Sequence, residues 1–561
     1  MRHPITRAEA PDDAAAVIPP ATRPVTTCQH HARRRKPPAP ARLRASGRTP
    51  DEEGSDEGAA ISNEALGAGA AAEAAVLRHD HPLDPIFHPR ATAVVGVSTR
   101  ASFDGQLGGI FLNAILEQGY QDRHPLYAVN PKMTEVRGVP CYPSVLDIPG
   151  PVDHVISQIP AVGLEKLVDE CIAKGVRSLH SFTAGLAETG DAELAATQDR
   201  IVTKARAAGM RLIGPNCMGL YVPGVGLSFM PRVPREPGNI FMLSQSGANA
   251  SGMLYGLGRR GLRFSKGVSY GNGADLRAHD FLDYAAADPQ TEYVVGYIEG
   301  VRDGRKFFEA LRRVALTKPT ILLKGGITAD GARAANSHTG SLAGSSEVFE
   351  ALCRQTGAWH APRMDDLLDL ATVVTSFVRR ARGRNVTIVG AGGGTAVLAS
   401  DQLALAGLRV PPLPDDVQAE LHGFIPIAGT SVRNPVDATF GRDHPLDFTQ
   451  DTELTRRAFD AIVRSPTTDI VFTTVGGSFL RDEDLATRER RVRVTIDEFA
   501  AIQERSGVPI VMLHEEHRIG DAAVHAHQRG VALLPSIERA ARAVAELMDW
   551  RDVRAGLPEF L

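Results

Sequence analysis

Cysteine is scarce and unpatterned in this chain. Five cysteines are spread over 561 residues, at Cys28, Cys141, Cys171, Cys217 and Cys353, and no CxxC pair occurs. That disfavours a disulfide framework and a structural zinc site, so no metal is expected, and it predicts a reducing, cytosolic setting. No apolar run approaches the roughly 20 residues a membrane span needs, which predicts no membrane partner. Net positive charge is absent too: the formal charge is −4, which disfavours a globally basic nucleic-acid binder. Aromatics make up only 6% while glycine numbers 54, a balance that suits α/β folds with Gly-rich strand ends better than β-sandwiches. Lysine supplies 9 of the 62 basic residues and arginine the other 53, a bias attributed to a GC-rich genome rather than to a physical demand. No GxxxxGK[ST] phosphate loop is present.

At roughly 100–200 residues per domain, the length predicts three or four domains. The pattern divides the chain into a tail and three modules. Residues 1–82 are rich in Ala, Pro and Arg and lack hydrophobic periodicity until about Ile61. Such a stretch cannot bury enough apolar surface to offset chain entropy, so a disordered tail, or a start codon assigned too early, is expected.

From Ile86 onward, short apolar strands alternate with amphipathic helices. In module 83–222 the strands read Ala91–Val97, Leu126–Val129, His154–Ile159, Ser178–Thr183 and Arg211–Ile213. Helices are expected near Gly108–Gln118, Ala161–Lys174 and Ala192–Ala208. Module 223–385 continues with strands Ile240–Leu243, Phe264–Ser269, Tyr293–Glu299 and Thr320–Lys324. Its helices are placed near Ala248–Arg259, Leu276–Ala287, Gly304–Thr317 and Ser345–Thr356. After a polar linker, Arg379–Arg384, module 386–561 opens with strand Val386–Val389 and helix Ala396–Ala406. Strands Asp469–Thr474 and Pro509–Leu513 follow, with a closing helix near Ile537–Met548. Strands alternating with helices at this spacing mean βαβ units and parallel sheets.

Four loops could carry chemistry. Ser244-Gln245-Ser246-Gly247-Ala248 follows a strand and opens a helix; it is either an anion site or a helix start capped by Ser246. Gly390-Ala391-Gly392-Gly393-Gly394-Thr395 is a similar turn, a second phosphate-approachable helix start or a tight turn against the sheet. Ser337-His338-Thr339-Gly340-Ser341-Leu342-Ala343-Gly344 reads as an accessible loop. Its imidazole is either a nucleophile or base, or simply solvated. Glu299 ends a parallel strand, where α/β sheets place ligands, and could orient a histidine or cap a helix.

Together, GPNCMGL (Gly214–Leu220), SQSGA (Ser244–Ala248), YIEG (Tyr297–Gly300) and SHTGSLAG (Ser337–Gly344) resemble the NDP-forming acyl-CoA synthetases, relatives of succinyl-CoA synthetase. The likeness is greatest to the α subunit of ADP-forming acetate–CoA ligase. YAVNPK (Tyr127–Lys132), GLAE (Gly185–Glu188) and NPVD (Asn434–Asp437) extend it over about 83–548. The resemblance implies a Rossmann-like CoA-binding domain followed by two flavodoxin-like ligase domains. It makes His338 the transiently phosphorylated residue and Glu299 its carboxylate partner. Phosphate would lie among Ser244, Gln245, Ser246, Gly247, Ser337, Thr339, Gly340, Gly392, Gly393 and Gly394, between two helix N-termini. Coenzyme A would meet Gly96, Ser98, Asn130, Lys132, Pro160, Asn216 and Cys217. A carboxylic acid would be the substrate. In the family, ATP/ADP with Mg2+ binds an ATP-grasp module, for which the tail and three modules leave no length. A separate β-type subunit is implied, in a hetero-oligomer, with a homodimer as the other assembly considered. A non-catalytic CoA-binding regulator and an NAD-dependent dehydrogenase are the competing classes. The His338–Glu299 pair argues against the first, and the lack of a three-glycine fingerprint against the second.

Overall fold

The computed structural model describes residues 80–556 apart from 99, 101–107, 340–344, 391, 426–428, 439–445, 447, 450, 475–483 and 515–520, and apart from the side chains of 336–339, 474 and 485. The N-terminal tail lies outside the described residues.

The first sheet contains β1 (Thr92–Val95), β2 (Leu126–Val129), β3 (Glu135–Val136), β4 (Val139–Tyr142), β5 (His154–Ser157), β6 (Ser178–Ser181) and β7 (Arg211–Ile213), in the order β3-β4-β2-β1-β5-β6-β7. All pairs are parallel except the small hairpin β3–β4. β1, β5 and β6 are buried along their whole length, the pattern of a parallel sheet covered on both faces. The order reverses at β1, flanked by β2 and β5, so the ligand crevice of this Rossmann-like sheet is expected beyond the C-terminal end of β1.

The second sheet holds β8 (Gly219–Tyr221), β9 (Pro237–Ser244), β10 (Phe264–Ser269), β11 (Tyr293–Ile298), β12 (Thr320–Lys324) and β13 (Trp359–Ala361), in the order β13-β12-β11-β9-β10-β8. The five parallel strands have flavodoxin-like order, and β8 adds an antiparallel edge. β8 therefore belongs to the second sheet, although the sequence pattern put Gly219–Tyr221 at the end of the first module. The third sheet is parallel: β14 (Val386–Val389), β15 (Ile470–Thr474), β16 (Ile510–Leu513) and β17 (Ala532–Leu534). On the free side of β14, two isolated parallel bridges, Asn385 to Arg409 and Val389 to Val436, stand where a flavodoxin-like sheet has its second strand.

Helix ends carry the expected chemistry. Asp191 accepts from the amides of Glu193 and Leu194, Ser345 from Val348 and Ser536 from Arg539, while Gly119, Gly175 and Gly357 end helices in the left-handed region. The largest departure from the sequence reading concerns the histidine segment. Ser337, His338 and Thr339 form the last turn of a helix, Ala329–Thr339, rather than an open loop; Gly340–Gly344 lie outside the described residues.

The modules are bolted together. Asp275 accepts from Arg206 Nε (2.6 Å), Arg211 Nε (2.9 Å) and the Leu212 amide (2.8 Å), joining the second module to the first. Burial pushes the Asp275 pKa up, but these donors outweigh it and hold the carboxyl below its usual range. Asp369 accepts from Arg260 Nη1 (2.8 Å) and from Arg539 Nε (2.6 Å), joining the second module to the third. Beside it, Trp359 stacks on Trp550 with ring centroids 4.2 Å apart. Phe87, just before β1, packs on Phe241, Phe281 and Tyr284 of the second module. One face of the first sheet, including Val94, Ala128 and Ile156, joins a continuous apolar core with the second module and much of the third. The opposite face, with Ala93, Val95 and Val155, has its own core.

Candidate active site at the strand ends

In the second sheet the strand order reverses between β9 and β11, and of the predicted residues Ser244, Gln245, Ser246, Gly247 and Glu299 lie at that edge. Gln245 follows β9 and Glu299 follows β11. The Gln245 amide donates to the Tyr297 carbonyl (3.0 Å), and its side-chain Oε1 accepts from the backbone amides of Glu299 (2.9 Å) and Gly300 (3.1 Å). One side chain thus fixes the turn that carries the carboxylate. Glu299 is only 5% exposed, and its Oε2 is buried with no hydrogen-bond partner. Lys324 Nζ donates to the Glu299 carbonyl (2.7 Å) and to the Gly325 carbonyl, so its bonds go to backbone. Burial lowers the Lys324 pKa, and Glu299 partly offsets this.

Two tyrosines complete the surroundings, Tyr297 of the YIEG motif and Tyr270, which the sequence reading did not single out. The Tyr270 hydroxyl, just past β10, is buried and unpartnered like Glu299 Oε2. Burial, with a further push from Glu299, raises its pKa. Tyr297 is raised by burial and then by Glu299. The signal available for Tyr270 was its position directly after a strand. A small cavity of about 30 Å3, bordered by Gln245, Tyr270 and Gly300, opens beside them, enough for one or two waters.

The helix Gly247–Arg259 starts at the same edge. Ser246 Oγ accepts from the Asn249 amide (3.4 Å), so the capping role foreseen for it is realised. The Ser244 hydroxyl donates to the Ser246 carbonyl (2.6 Å) and accepts from the Ser246 amide (3.2 Å), closing the turn on itself. Gly247 is required by packing: a Cβ there would lie 2.6 Å from Met218 Cγ, which seats the GPNCMGL segment against the helix start. In the third module, Gly392 (φ 71°) precedes the helix Gly393–Leu405 with no side-chain cap, and Gly393 and Gly394 are exposed. This helix packs on the closing helix Ile537–Ala555. His338 sits in the last turn of Ala329–Thr339, which lies against the turn Ala187–Thr189 of the first module. Glu188 in that turn accepts from Asn272 Nδ2 (2.7 Å), just beyond Tyr270.

At the first sheet, Gly96, Ser98, Asn130 and Pro160 come together past adjacent strands β1, β2 and β5. Gly96 has φ 85°, and a Cβ there would meet Ile159 Cγ2 at 2.9 Å. Asn130 ties two loops, donating from Nδ2 to the Val97 carbonyl (2.8 Å) and accepting the Lys132 amide at Oδ1 (2.9 Å). The Ser98 hydroxyl donates to the Arg100 carbonyl (2.9 Å), Lys132 is exposed and Pro160 caps a short 3-10 turn. Gln158, missed from sequence, presents a buried Nε2 with no acceptor at the same edge, beside the uncapped start of helix Gly109–Gln118. A bare donor next to an open helix N-terminus suits a phosphate-bearing group such as that of coenzyme A. Asn216 adopts φ 57° after the cis Gly214–Pro215 bond. Cys217 faces inward: its Sγ lies 3.6 Å from the Ser181 carbonyl and 3.5 Å from that of Ile213, and burial raises its pKa. Its thiol is therefore not presented to the crevice.

Comparison with known proteins agrees with this architecture. Residues 90–223 match a CoA binding domain, 237–374 a succinyl-CoA ligase like flavodoxin domain and 385–461 a ligase-CoA domain. The chain thus joins one CoA-binding domain to two domains of the CoA-ligase type. Over 355 residues the chain is 38% identical to the Pyrococcus furiosus ADP-forming acetate–CoA ligase II subunit alpha, covering 63% of this chain and 76% of that one. Against subunit alpha of isozyme I from the same organism it is 29% identical, covering 84% and 98%. The chain belongs to the family of ADP-forming acetate–CoA ligase α subunits and their succinyl-CoA ligase-like relatives. It spans only 50% of the Archaeoglobus fulgidus acetate–CoA ligase I, to which it is 38% identical over 356 residues, 63% of this chain. The structure of Candidatus Korarchaeum cryptofilum dinucleotide-forming acetyl-coenzyme A synthetase 1, with phosphate and ADP, superposes with a TM-score of 0.69 at 29% identity, covering 84% of this chain and 97% of that chain.

Proposed function

We propose that this chain is the α-type half of an NDP-forming, most simply ADP-forming, acyl-CoA synthetase. It would convert a carboxylic acid, CoA and ATP reversibly to acyl-CoA, ADP and phosphate. The observation that carries the reading is Glu299 Oε2, a buried carboxylate oxygen without a partner at the strand-order reversal. Leaving such an acceptor bare costs about 1–3 kcal/mol, more for a charged group, which is sustained where a partner arrives during function. The histidine on the exposed helix Ala329–Thr339 is the candidate partner.

In the forward direction, a ring nitrogen of His338 attacks the terminal phosphorus of ATP, the bridging P–O bond breaks and ADP leaves. Glu299 accepts the hydrogen bond from the other ring nitrogen and supports the positive charge that develops there. The phosphoryl group then passes to a carboxylate oxygen, restoring neutral imidazole and giving an acyl phosphate. The CoA sulfur, presented by the first module, attacks the acyl carbon and phosphate departs. The helix starts after Ser246 and Gly392 supply amide donors and positive potential to the phosphoryl oxygens. Coenzyme A contributes the thiol nucleophile; Gly96, Ser98, Asn130 and Gln158 would hold it. Among the described residues no group of three His, Cys, Asp or Glu side chains could hold a metal. Nucleotide and Mg2+ would enter on an ATP-grasp β-type subunit in a hetero-oligomer.

The test is phosphoryl labelling. With γ-labelled ATP and the partner subunit, this chain should acquire acid-labile, base-stable label, and His338→Ala should abolish it. Label that persists in that variant removes the carrier role. Alone, the chain should bind CoA and form no acyl-CoA from ATP and acid.

A further inference from the structure

A second cavity lies at the opposite end of the second sheet, on the order of 17 Å from the Glu299 end by the rise along β11. It occupies about 560 Å3 between the starts of β11 and β12 and the last turns of the closing helix, Ile537–Ala555. That is ample for a small organic ligand. Four cationic side chains border it, Lys318, Arg379, Arg551 and Arg554, against one acidic residue, Glu292.

Helix-end chemistry explains part of this charge. Arg554 donates to the Leu316 carbonyl, and Lys318 Nζ donates to the carbonyls of Ala285 (2.7 Å) and Asp288 (2.6 Å), so both serve helix ends. It does not explain the other two. Arg551 Nη1 is buried without an acceptor. Arg379 is 84% exposed, and its ion pair with half-exposed Glu292 is loose at 3.8 Å. Burial lowers the pKa of both Arg554 and Lys318, which marks the cost of holding cations in this groove. The wall is also preset: Arg554 lies 4.9 Å over the Trp550 ring, whose other face stacks on Trp359. Three guanidiniums and an ammonium around one carboxylate leave three uncompensated positive charges, of which a dianion would neutralise two, and the guanidinium fork matches phosphate oxygens.

We propose that this groove is a binding site for a phosphate-bearing small molecule, which accepts from Arg551 and Arg379 and bridges the second module to the closing helix of the third. The probes are inorganic pyrophosphate and ADP, with citrate as a carboxylate comparator. They are titrated into the full chain carrying His338→Ala, so that phosphoryl transfer does not interfere. Pyrophosphate should raise Tm and bind with an affinity that falls at least tenfold in Arg379→Gln and weakens with added NaCl. Arg551→Met should erase the Tm shift while leaving the unliganded Tm unchanged or higher, because it removes a bare donor. Tighter binding of ADP than of pyrophosphate would mark a nucleotide as the source, and the reverse free phosphate; both support the site. Equal shifts in wild type and both variants, no binding at millimolar pyrophosphate, preference for citrate, or an unliganded Arg551→Met chain that melts several degrees lower would each overturn it.

Discussion

Substituting Glu299 by Gln separates a site built for function from one built for stability. The substitution keeps volume and shape, and it leaves the bonds from the Glu299 and Gly300 amides to Gln245 untouched because they are made by backbone. What changes is a buried carboxylate whose Oε2 meets no donor. A group so placed is a liability in the resting chain; a neutral amide should cost less, so stability should stay level or rise by about 1 kcal/mol. Phosphorylation should move the other way. An amide cannot balance the charge that forms on the imidazole, and groups in this role contribute roughly 10²–10⁴-fold, equivalent to about 2.7–5.4 kcal/mol of barrier. Single-turnover labelling with γ-labelled ATP and the partner subunit measures the rate, and urea unfolding of the same preparations measures stability. CoA affinity, read by titration, should not change, since the candidate CoA residues lie on the first sheet. An unchanged labelling rate together with lowered stability would make Glu299 a structural acid and refute the reasoning.

Asp369→Ala should cost about 3–5 kcal/mol in urea unfolding, because it removes the buried carboxylate that Arg260 and Arg539 share at the seam between the second and third modules; a loss below 1 kcal/mol would show that the seam does not need its charge. Buried His154, His180 and His527 are held neutral, with pKa values lowered by burial to about 3, about 4 and about 4. The unfolded chain protonates near pH 6.5 and the folded one does not, so stability present above that pH should drain away below it, by about 4 kcal/mol between pH 7.5 and 5.5 for the three together. A flat urea midpoint over that range would contradict it. Asn130→Ala should weaken CoA binding about tenfold with little change in Tm, since it frees two loop tethers at the edge of the crevice; unaltered calorimetric affinity would remove Asn130 from the CoA site.

The sequence was most readable where short apolar strands sit between strong turn residues. Leu126–Val129, Arg211–Ile213, Phe264–Ser269, Thr320–Lys324 and Val386–Val389 fall where the pattern puts them. Helix Met364–Phe377 is missing from the sequence reading: every residue from Leu367 to Val374 is buried, polar Asp369 and Thr372 included, so burial runs round the helix instead of following its apolar stripe. The histidine segment failed for the opposite reason. Ala329–Thr339 has few apolar residues and ends in Ser, His and Thr, a composition that reads as loop. Gln245 and Glu299 were found because position after a parallel strand is itself a signal. Tyr270, Gln158 and the direction of the Cys217 thiol were not, since an unpaired atom or an inward-turned one is a property of packing that no motif records.

The helix that ends in His338 is fastened unlike everything around it. None of its residues from Ala329 to Ala335 is buried, whereas the first and second modules share an apolar core clamped through Asp275. Swinging a module would expose oily surface and break an ion cluster; lifting Ala329–Ala335 would expose no buried residue. Motion in the molecule is therefore cheap in one lever and expensive in the frame. Strengthening the frame, by filling its core or tightening its seams, would raise the melting temperature while leaving the exposed stretch Ala329–Ala335 almost untouched.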